Sequence, residues 1–451
     1  MKIINILHFI SELQHFTFKL RIGFIKTLTI ASILGVMSTP TNAQKSISKA
    51  VEQANTELWA KFIDQYGIVY DFVGELPTPE DCELGRPNVM GWWSPIENGS
   101  FFTGLYLSAA CERARRSGNK TDRDKAKRLA DGLLKCASVS NVTGFVTRGV
   151  GTDGKCHYPL GSMDQTIPWY LGLYSYLMSD FPTTEHKQLV KNKLLEVTSA
   201  LYTLDWKLPC DGHFKGEFRG DLKSKNYLEV TSYLFTLRMM YQLTQDNLWL
   251  ERYRNALYEI PRGSVEQPEI ANKTRLEICA SGYRVDSLIF KAVGRNLDNS
   301  ALWIYVKNQA TLAYLFKMEN DEKIKKAYST GIKLNASNAL SVIGEYKYFD
   351  NNDTKVFGHT NWREGYSTWF PQKTQADGEK LSRMGDTKKL GPRKNYERIF
   401  MTNPLAAAAI IALAGDSANR EIIERVISHF DYSKLNMSEF FFAEVAYYSL
   451  P

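Results

Sequence analysis

The feature that most constrains this chain is a succession of segments whose apolar residues recur with the 3.6-residue period of an α-helix. Roughly a dozen such segments follow one another in pairs, and the two-residue alternation typical of strands is rare. Helices are predicted at residues 46–62, 97–117, 122–138, from 164 onward, 186–202, 227–245, 247–258, 284–293, 301–318, 321–334, 401–414, 419–430 and 439–448. Short β-hairpin arms are predicted at residues 144–148 and 346–349. The pattern predicts an all-α fold of helical hairpins.

Length and composition favour one large domain. The chain has 451 residues, of which 44% are hydrophobic, so it has ample material for a large core. No linker rich in Ser, Gly or Pro divides it, and we predict a single domain over residues 44–451. Helical hairpins can stack open-ended or close into a ring, and the absence of polar capping repeats favours the ring.

The residue pattern at the N-terminus predicts that the protein is exported. Arg21 and Lys26 precede an apolar run at residues 27–37, and small residues then lead to Ala43. This pattern is typical of a signal peptide over residues 1–43, and the run is too short for a stable membrane span. We therefore expect a periplasmic or secreted protein without a membrane anchor. Six cysteines in an oxidising compartment permit disulfides, and Cys156 with Cys210 is the favoured bridge, although the spacing leaves the connectivity open.

The charge distribution and the spacing of motifs limit the classes of partner that the chain is predicted to bind. The net charge is +7, but no concentrated basic stripe is visible, so no nucleic-acid partner is predicted. A mild positive field suits an anionic ligand such as a uronic-acid glycan, or it has no functional meaning. No metal-ligand spacing, phosphate-binding glycine loop or dinucleotide motif is present, so neither a metal nor a cofactor is predicted.

The richest stretch for chemistry, residues 144–178, runs from a polar loop into a helix. The residues at this junction are Asp153, His157, Asp164, Gln165 and Trp169. Because Pro168 is tolerated only in a first turn, the helix should begin near residues 164–167. Asp164 is predicted to be a catalytic acid in an aromatic setting, with an ordinary helix cap as the alternative.

Other candidates complete the predicted site. Glu97 is a candidate second carboxylate, or an ordinary first-turn residue. His157 and His213, each close to an aspartate, are candidate proton shuttles or loop-bracing residues. The candidates for substrate binding, with packing or loop pinning as the alternative, are Trp92, Trp93, Asp153, Gln165, Trp169, Tyr283, Arg284, His359, Trp362, Arg363, Arg393 and Tyr396.

The sequence Met-Asp-Gln-Thr-Ile-Pro-Trp-Tyr-Leu at residues 163–171 resembles the helix start of unsaturated uronyl hydrolases. These enzymes belong to the six-hairpin glycosidases, which are related to certain polysaccharide lyases. The resemblance implies an (α/α)6 toroid, an oligosaccharide or polysaccharide substrate, and Asp164 as general acid and base.

Three functions follow from these residues. The first is an exported glycoside hydrolase that acts on acidic oligosaccharides with Asp164 as proton donor. The second is a polysaccharide lyase that cleaves uronate glycans by β-elimination, with a Tyr or His base and an Arg clamp. The third is a non-catalytic glycan-binding protein on the same fold.

Overall fold

A computed structural model describes residues 40–263, 270–283, 302–358, 362–364, 368–384 and 391–451. The chain divides into two compact units, residues 1–49 and 50–451. The described residues are predominantly helical, as the periodicity predicted. Among the described helices, none has the length and apolar character that crossing a bilayer requires. The predicted helix at 284–293 and the apolar run at 27–37 lie outside the described residues.

The helices are α1 (Pro40–Lys61), α2 (Pro79–Leu84), α3 (Gly99–Ser117), α4 (Lys120–Cys136), α5 (Met163–Leu177), α6 (Thr184–Thr203), α7 (Tyr227–Thr244), α8 (Asn247–Tyr258), α9 (Arg275–Ser281), α10 (Leu302–Met318), α11 (Glu322–Leu340), α12 (Gln375–Met384), α13 (Pro392–Glu397), α14 (Asn403–Leu413), α15 (Arg420–His429) and α16 (Phe442–Ser449). A π-helical turn, Arg398–Thr402, joins α13 to α14. Two antiparallel strands, β1 (Lys207–Pro209) and β2 (Phe218–Asp221), form a small sheet.

Both predicted hairpin arms are wrong. At residues 144–148 the backbone bonds to helix ends, because Thr147 N–H donates to Cys136 O and Ser100 N–H donates to Arg148 O. Residues 346–348 belong instead to the 3-10 helix Ile343–Tyr348. The sheet of the described chain, formed by residues 207–221, lies in a segment for which no strand was predicted.

Helices α3 and α5 meet backbone to backbone. A Cβ added to Gly104 would lie 2.1 Å from Pro168 O, and one added to Gly172 would lie 2.6 Å from Gly104 O. Only glycine permits this approach. The expectation that Pro168 lies in the first turn is wrong, because α5 begins at Met163 and Pro168 lies inside the helix. Proline has no N–H, so the carbonyl of Asp164 receives no helical bond from residue 168.

The central helices of the unit formed by residues 50–451 are α5 and α14, which are buried nearly all round. Helix α3 packs against α4, α5 and α16, and α5 also contacts α7 and α10. Helix α10 packs against α7, α11 and α14, and α14 packs against α16. A helix that is apolar on every side is stable only when neighbours surround it, which is the setting observed for α14.

Candidate functional site

Asp164 lies in the first turn of α5. The residue at the N-cap position is Ser162, whose side chain makes no capping bond. The Asp164 side chain is 38% exposed although its Oδ1 atom is buried, so the exposed surface belongs to the rest of the side chain. The carboxylate is therefore half open to solvent at a helix N-terminus, where the helix dipole favours negative charge.

The buried oxygen of Asp164 faces a buried lysine. Lys307 Nζ lies 3.6 Å from Asp164 Oδ1 and 3.2 Å from Asn308 Oδ1, and its side chain is fully buried in α10. Burial lowers the pKa of Lys307, against the opposing charges of Asp164 and Glu229. The residue patterns did not single out Lys307. The usable signal is the polar run from Lys307 to Gln309 inside an otherwise apolar helix, because such residues are seldom buried without partners.

Gln165 ties the start of α5 to the start of α3. Its Oε1 accepts hydrogen bonds from Ser100 Oγ at 2.9 Å and from Phe101 N at 3.1 Å, and its Nε2 donates to Asn98 Oδ1 at 3.2 Å. Both polar atoms of the amide are thus used within the protein. This network fixes Gln165 and so positions the neighbouring Asp164.

Asn98 in turn holds a buried carboxylate. Its backbone N donates to Asp71 Oδ1 at 2.6 Å and its Nδ2 donates to Asp71 Oδ2 at 2.7 Å. Burial raises the pKa of Asp71 well above its usual range, and the nearby charges of Glu97 and Glu439 add to this effect. Glu97 is half-buried, and its Oε2 accepts from Trp93 N at 3.0 Å. Two carboxyl groups therefore lie close together at the mouth of α3.

We call the surrounding ionisable side chains the central charge cluster: Asp71, Glu97, Arg148, Lys394, Arg398 and Glu439. Burial lowers the pKa of Lys394 to about 8, with Glu97 opposing and Arg398 contributing to the shift. Burial also lowers the pKa of Arg148 to about 10, against the charges of Glu97 and Asp164. Asp164 therefore lies within electrostatic range of the cluster.

Aromatic rings lie beside the cations of the cluster. Lys394 Nζ is 4.1 Å from the centre of the Trp93 ring. The Arg398 guanidinium is 5.5 Å from the centre of the Trp303 ring. Cation–π contacts of this kind stabilise buried cations and present flat apolar faces next to charge.

The two other predicted tryptophans differ in their settings. Trp92 is half-buried, and the guanidinium of Arg219 lies 5.8 Å from its ring centre. Trp169 is fully buried, donates from Nε1 to Leu133 O at 2.7 Å, and packs edge-on against Tyr170. Trp169 therefore contributes to the packing between helices.

Several buried polar atoms next to the cluster have no hydrogen-bond partner among the residues that the structure describes. They are Trp303 Nε1, Arg398 Nε, both side-chain polar atoms of Asn403, Ser438 Oγ and Glu439 Oε2. These residues are neighbours, since Arg398 Nη2 lies 3.4 Å from Glu439 Oε1 and Asn403 N–H donates to Arg398 O. A buried donor or acceptor without a hydrogen-bond partner costs free energy, so we expect such a group to bind water or a ligand.

His157 and His213 line a separate cavity of about 480 Å³, which Asp164 does not line. His157 Nε2 lies 2.6 Å from Asp211 Oδ2, and Nδ1 lies 2.7 Å from a backbone carbonyl oxygen. Burial lowers the pKa of His157, but these two acceptors outweigh it and raise the pKa above its usual value. Asp153 shapes the same loop by accepting from two backbone N–H groups.

The predicted residues of the late loop are engaged with the protein. Trp362 Nε1 donates to Glu75 O at 2.9 Å. Arg363 pairs with Asp81 at 2.9 Å and with Glu75 at 2.7 Å. These bonds hold the loop against α2 and the segment that leads into it. Two predicted residues lie outside the described residues: Arg284 and His359.

Three further predicted residues also make internal bonds. Arg393 is buried and pairs with Glu397 at 2.7 Å. The Tyr396 hydroxyl donates to a backbone carbonyl oxygen at 3.2 Å. The Tyr283 hydroxyl donates to Asn335 O at 3.2 Å. None of the three is brought to Asp164 by a bond within the described part of the chain.

Over the same described ranges, no three His, Cys, Asp or Glu side chains are grouped so that they could hold a metal ion. No protein-family model, curated protein or solved structure matches the chain.

Proposed function

We propose that residues 50–451 form an (α/α)6 toroid of the six-hairpin type. The support is the order of helix contacts, in which α3 packs on α5, α5 on α7, α7 on α10, α10 on α14, α14 on α16, and α16 back on α3. This succession closes on itself, and further helices, among them α4, α6, α11 and α15, contact its members. Such a ring brings helix ends from distant parts of the chain to one place.

We propose that the chain is a glycoside hydrolase acting on acidic oligosaccharides, with Asp164 as the group that transfers the proton. The observation that carries this proposal is the setting of Asp164, with one oxygen buried against Lys307 and the rest of a 38% exposed side chain open to a ligand. The buried oxygen faces Lys307 Nζ at 3.6 Å, so the exposed part of the carboxyl group is the part that faces a ligand, and proton transfer to a glycosidic oxygen requires such an oriented group. Glu97, whose charge acts on Arg148 together with that of Asp164, is the proposed second carboxylate.

Asp164 and Glu97 together account for the protons that hydrolysis moves. In its protonated form, Asp164 donates a proton to the glycosidic oxygen as the bond to the anomeric carbon breaks, and it becomes the carboxylate. Water adds to that carbon, and its proton passes to a carboxylate, for which Glu97 is proposed. The half-buried ring of Trp93 would contact a sugar face, as aromatic rings in sugar sites do.

The acidic substrate class is supported by the cations beside the site. Arg398 keeps its Nε without a partner among the described residues, and Lys394 is buried over an aromatic ring. A planar guanidinium matches the geometry of a carboxylate, so a uronate group is a suitable occupant. Export through a signal peptide ending near Ala43 belongs to the same proposal.

The test is turnover of a panel of uronate-containing oligosaccharides, saturated and unsaturated, followed by release of reducing ends and by ultraviolet absorbance. We expect hydrolysis, with no new absorbance from a conjugated double bond, and a loss of about 10²–10⁴-fold in Asp164→Asn. Asp124→Asn, which changes an exposed aspartate of α4, is the matched control and should retain activity. Binding without turnover, new absorbance from elimination, or full activity in Asp164→Asn would each overturn the proposal.

A further inference from the structure

Two cysteines line the cavity of about 480 Å³ that also contains His157 and His213. Cys82 is buried in α2, and Cys156 is half-buried in the loop that follows α4. Both sulfur-bearing side chains pack in one apolar cluster with Ile96. The two thiols are therefore neighbours in space although they are 74 residues apart in the chain (156 − 82 = 74).

The backbone brings these two segments together by direct contacts. Thr152 N–H donates to Pro77 O at 2.9 Å, and Cys156 Sγ lies 3.8 Å from the same oxygen. The loop turns back through a bond from Gly151 N to Cys156 O at 2.8 Å. A Cβ on Gly151 would lie 2.2 Å from Cys156 Sγ, so glycine is what allows the sulfur to sit there.

The thiols also interact with each other. A hydrogen bond with Cys156 and burial together raise the pKa of the Cys82 thiol. Cys210, the partner that the residue pattern favoured for Cys156, instead packs in a different apolar cluster with Val89 and Met90. The contacts that bring Cys156 close to Cys82 join segments that are remote in sequence, so the spacing of the cysteines alone could not indicate them.

We propose that Cys82 and Cys156 are an oxidisable pair that forms a disulfide across the wall of this cavity. The more exposed Cys156 attacks a low-molecular-weight disulfide such as glutathione disulfide, forms a mixed disulfide, and releases one thiol. Cys82 then attacks the Cys156 sulfur, releases the second thiol, and leaves one protein disulfide. Two protein thiols thus lose two electrons and two protons, which the oxidant takes up. The inference does not depend on the proposed hydrolase activity.

The bond would fasten α2 to the loop at residues 151–156. Closing a loop of this length restricts the unfolded chain strongly, and for a protein of this size the expected rise in Tm is roughly 2–6 °C. The cavity that contains His157 would then have a covalently fixed wall.

The test is oxidation of the full chain with glutathione disulfide, alkylation of the remaining thiols, and tandem mass spectrometry of linked peptides without reduction. We expect the Cys82–Cys156 link in at least tenfold excess over any other link. Cys82→Ser should abolish the link and the rise in Tm on oxidation, and Cys210→Ser, the matched control, should retain both. Dominant linkage of Cys156 to Cys210, or full alkylation of Cys82 and Cys156 after oxidation, would overturn the inference.

Discussion

The pair formed by Asp164 and Lys307 predicts an asymmetric response to mutation. Two unit charges 3.6 Å apart attract by roughly 5 kcal/mol at an effective dielectric constant of about 20. Because the Asp164 side chain is 38% exposed, solvent screens much of this, and we expect a coupling of about 1–3 kcal/mol. Of the charges of Asp164 and Glu229 that oppose the burial of the Lys307 ammonium, Asp164→Asn removes the larger, and it should lower the free energy of unfolding by about that amount.

Removing the charge of Lys307 should lower the free energy of unfolding less than removing the charge of Asp164. Lys307→Met replaces the ammonium by an apolar side chain of similar length, and the half-exposed Asp164 carboxylate remains in contact with water. We expect a loss below about 1 kcal/mol for this variant, because a buried lysine is replaced by a side chain that needs no desolvation of charge. The double variant should then be more stable than Asp164→Asn alone.

The assay is urea unfolding of the parent, both single variants and the double variant, with the coupling energy taken from the double-mutant cycle. Asp124→Asn serves as the control, since its partner Lys120 is exposed and the pair should contribute below about 0.5 kcal/mol. The reasoning is refuted if Asp164→Asn is as stable as the parent, or if the double variant is no more stable than Asp164→Asn. Either result would show that the attraction between the two charges does not stabilise the fold.

Two further predictions concern packing and pH. Gly104→Ala should lower the free energy of unfolding by more than about 3 kcal/mol in a denaturant titration, because the new Cβ would lie 2.1 Å from Pro168 O, whereas Gly344→Ala, with nothing within 4 Å, should change it little. Burial raises the pKa of Glu444 to about 7, so between pH about 4.5 and 7 the folded protein holds a proton that the unfolded chain releases. Its contribution to stability should therefore fall as pH rises through that window, by up to roughly 3 kcal/mol. Unfolding measured across this range should lose that slope in Glu444→Gln and keep it in the exposed control Glu196→Gln; an unchanged slope in Glu444→Gln contradicts the argument.

Long helices were predictable because their signal is local and repeated. The predicted helix at 247–258 coincides with α8, Asn247–Tyr258, and the one at 227–245 is within a residue of α7. The short helices α2 and α9 were missed because six or seven residues carry little periodicity. Both begin with capping boxes, Thr78 with Asp81 and Thr274 with Glu277, and that pattern was available in the sequence.

The site was predictable only where it coincides with a helix start. Asp164 and Glu97 precede or open apolar helical runs, so their positions at helix mouths follow from local patterns. Lys394, Arg398 and Glu439 come from segments far along the chain, and no local pattern states that these side chains are buried beside Glu97. Their burial is a consequence of how the helices pack, which periodicity alone does not define.

The buried charged side chains of this chain contribute little to its stability. Ion pairs taken out of water gain little net stability, and apolar residues of similar size often serve a fold as well or better. This chain buries Lys307 beside the half-exposed Asp164, and it buries Lys394 and Asp71 beside Glu97. It therefore lacks the stability that apolar side chains would provide at these positions. Residues with strongly shifted pKa values beside unpartnered polar atoms are typical of functional sites, and this supports the function that we propose. Lys394→Met would leave the buried carboxyl groups of Asp71 and Glu439 without this counter-charge, so we expect a loss of stability in unfolding experiments in addition to a loss of turnover.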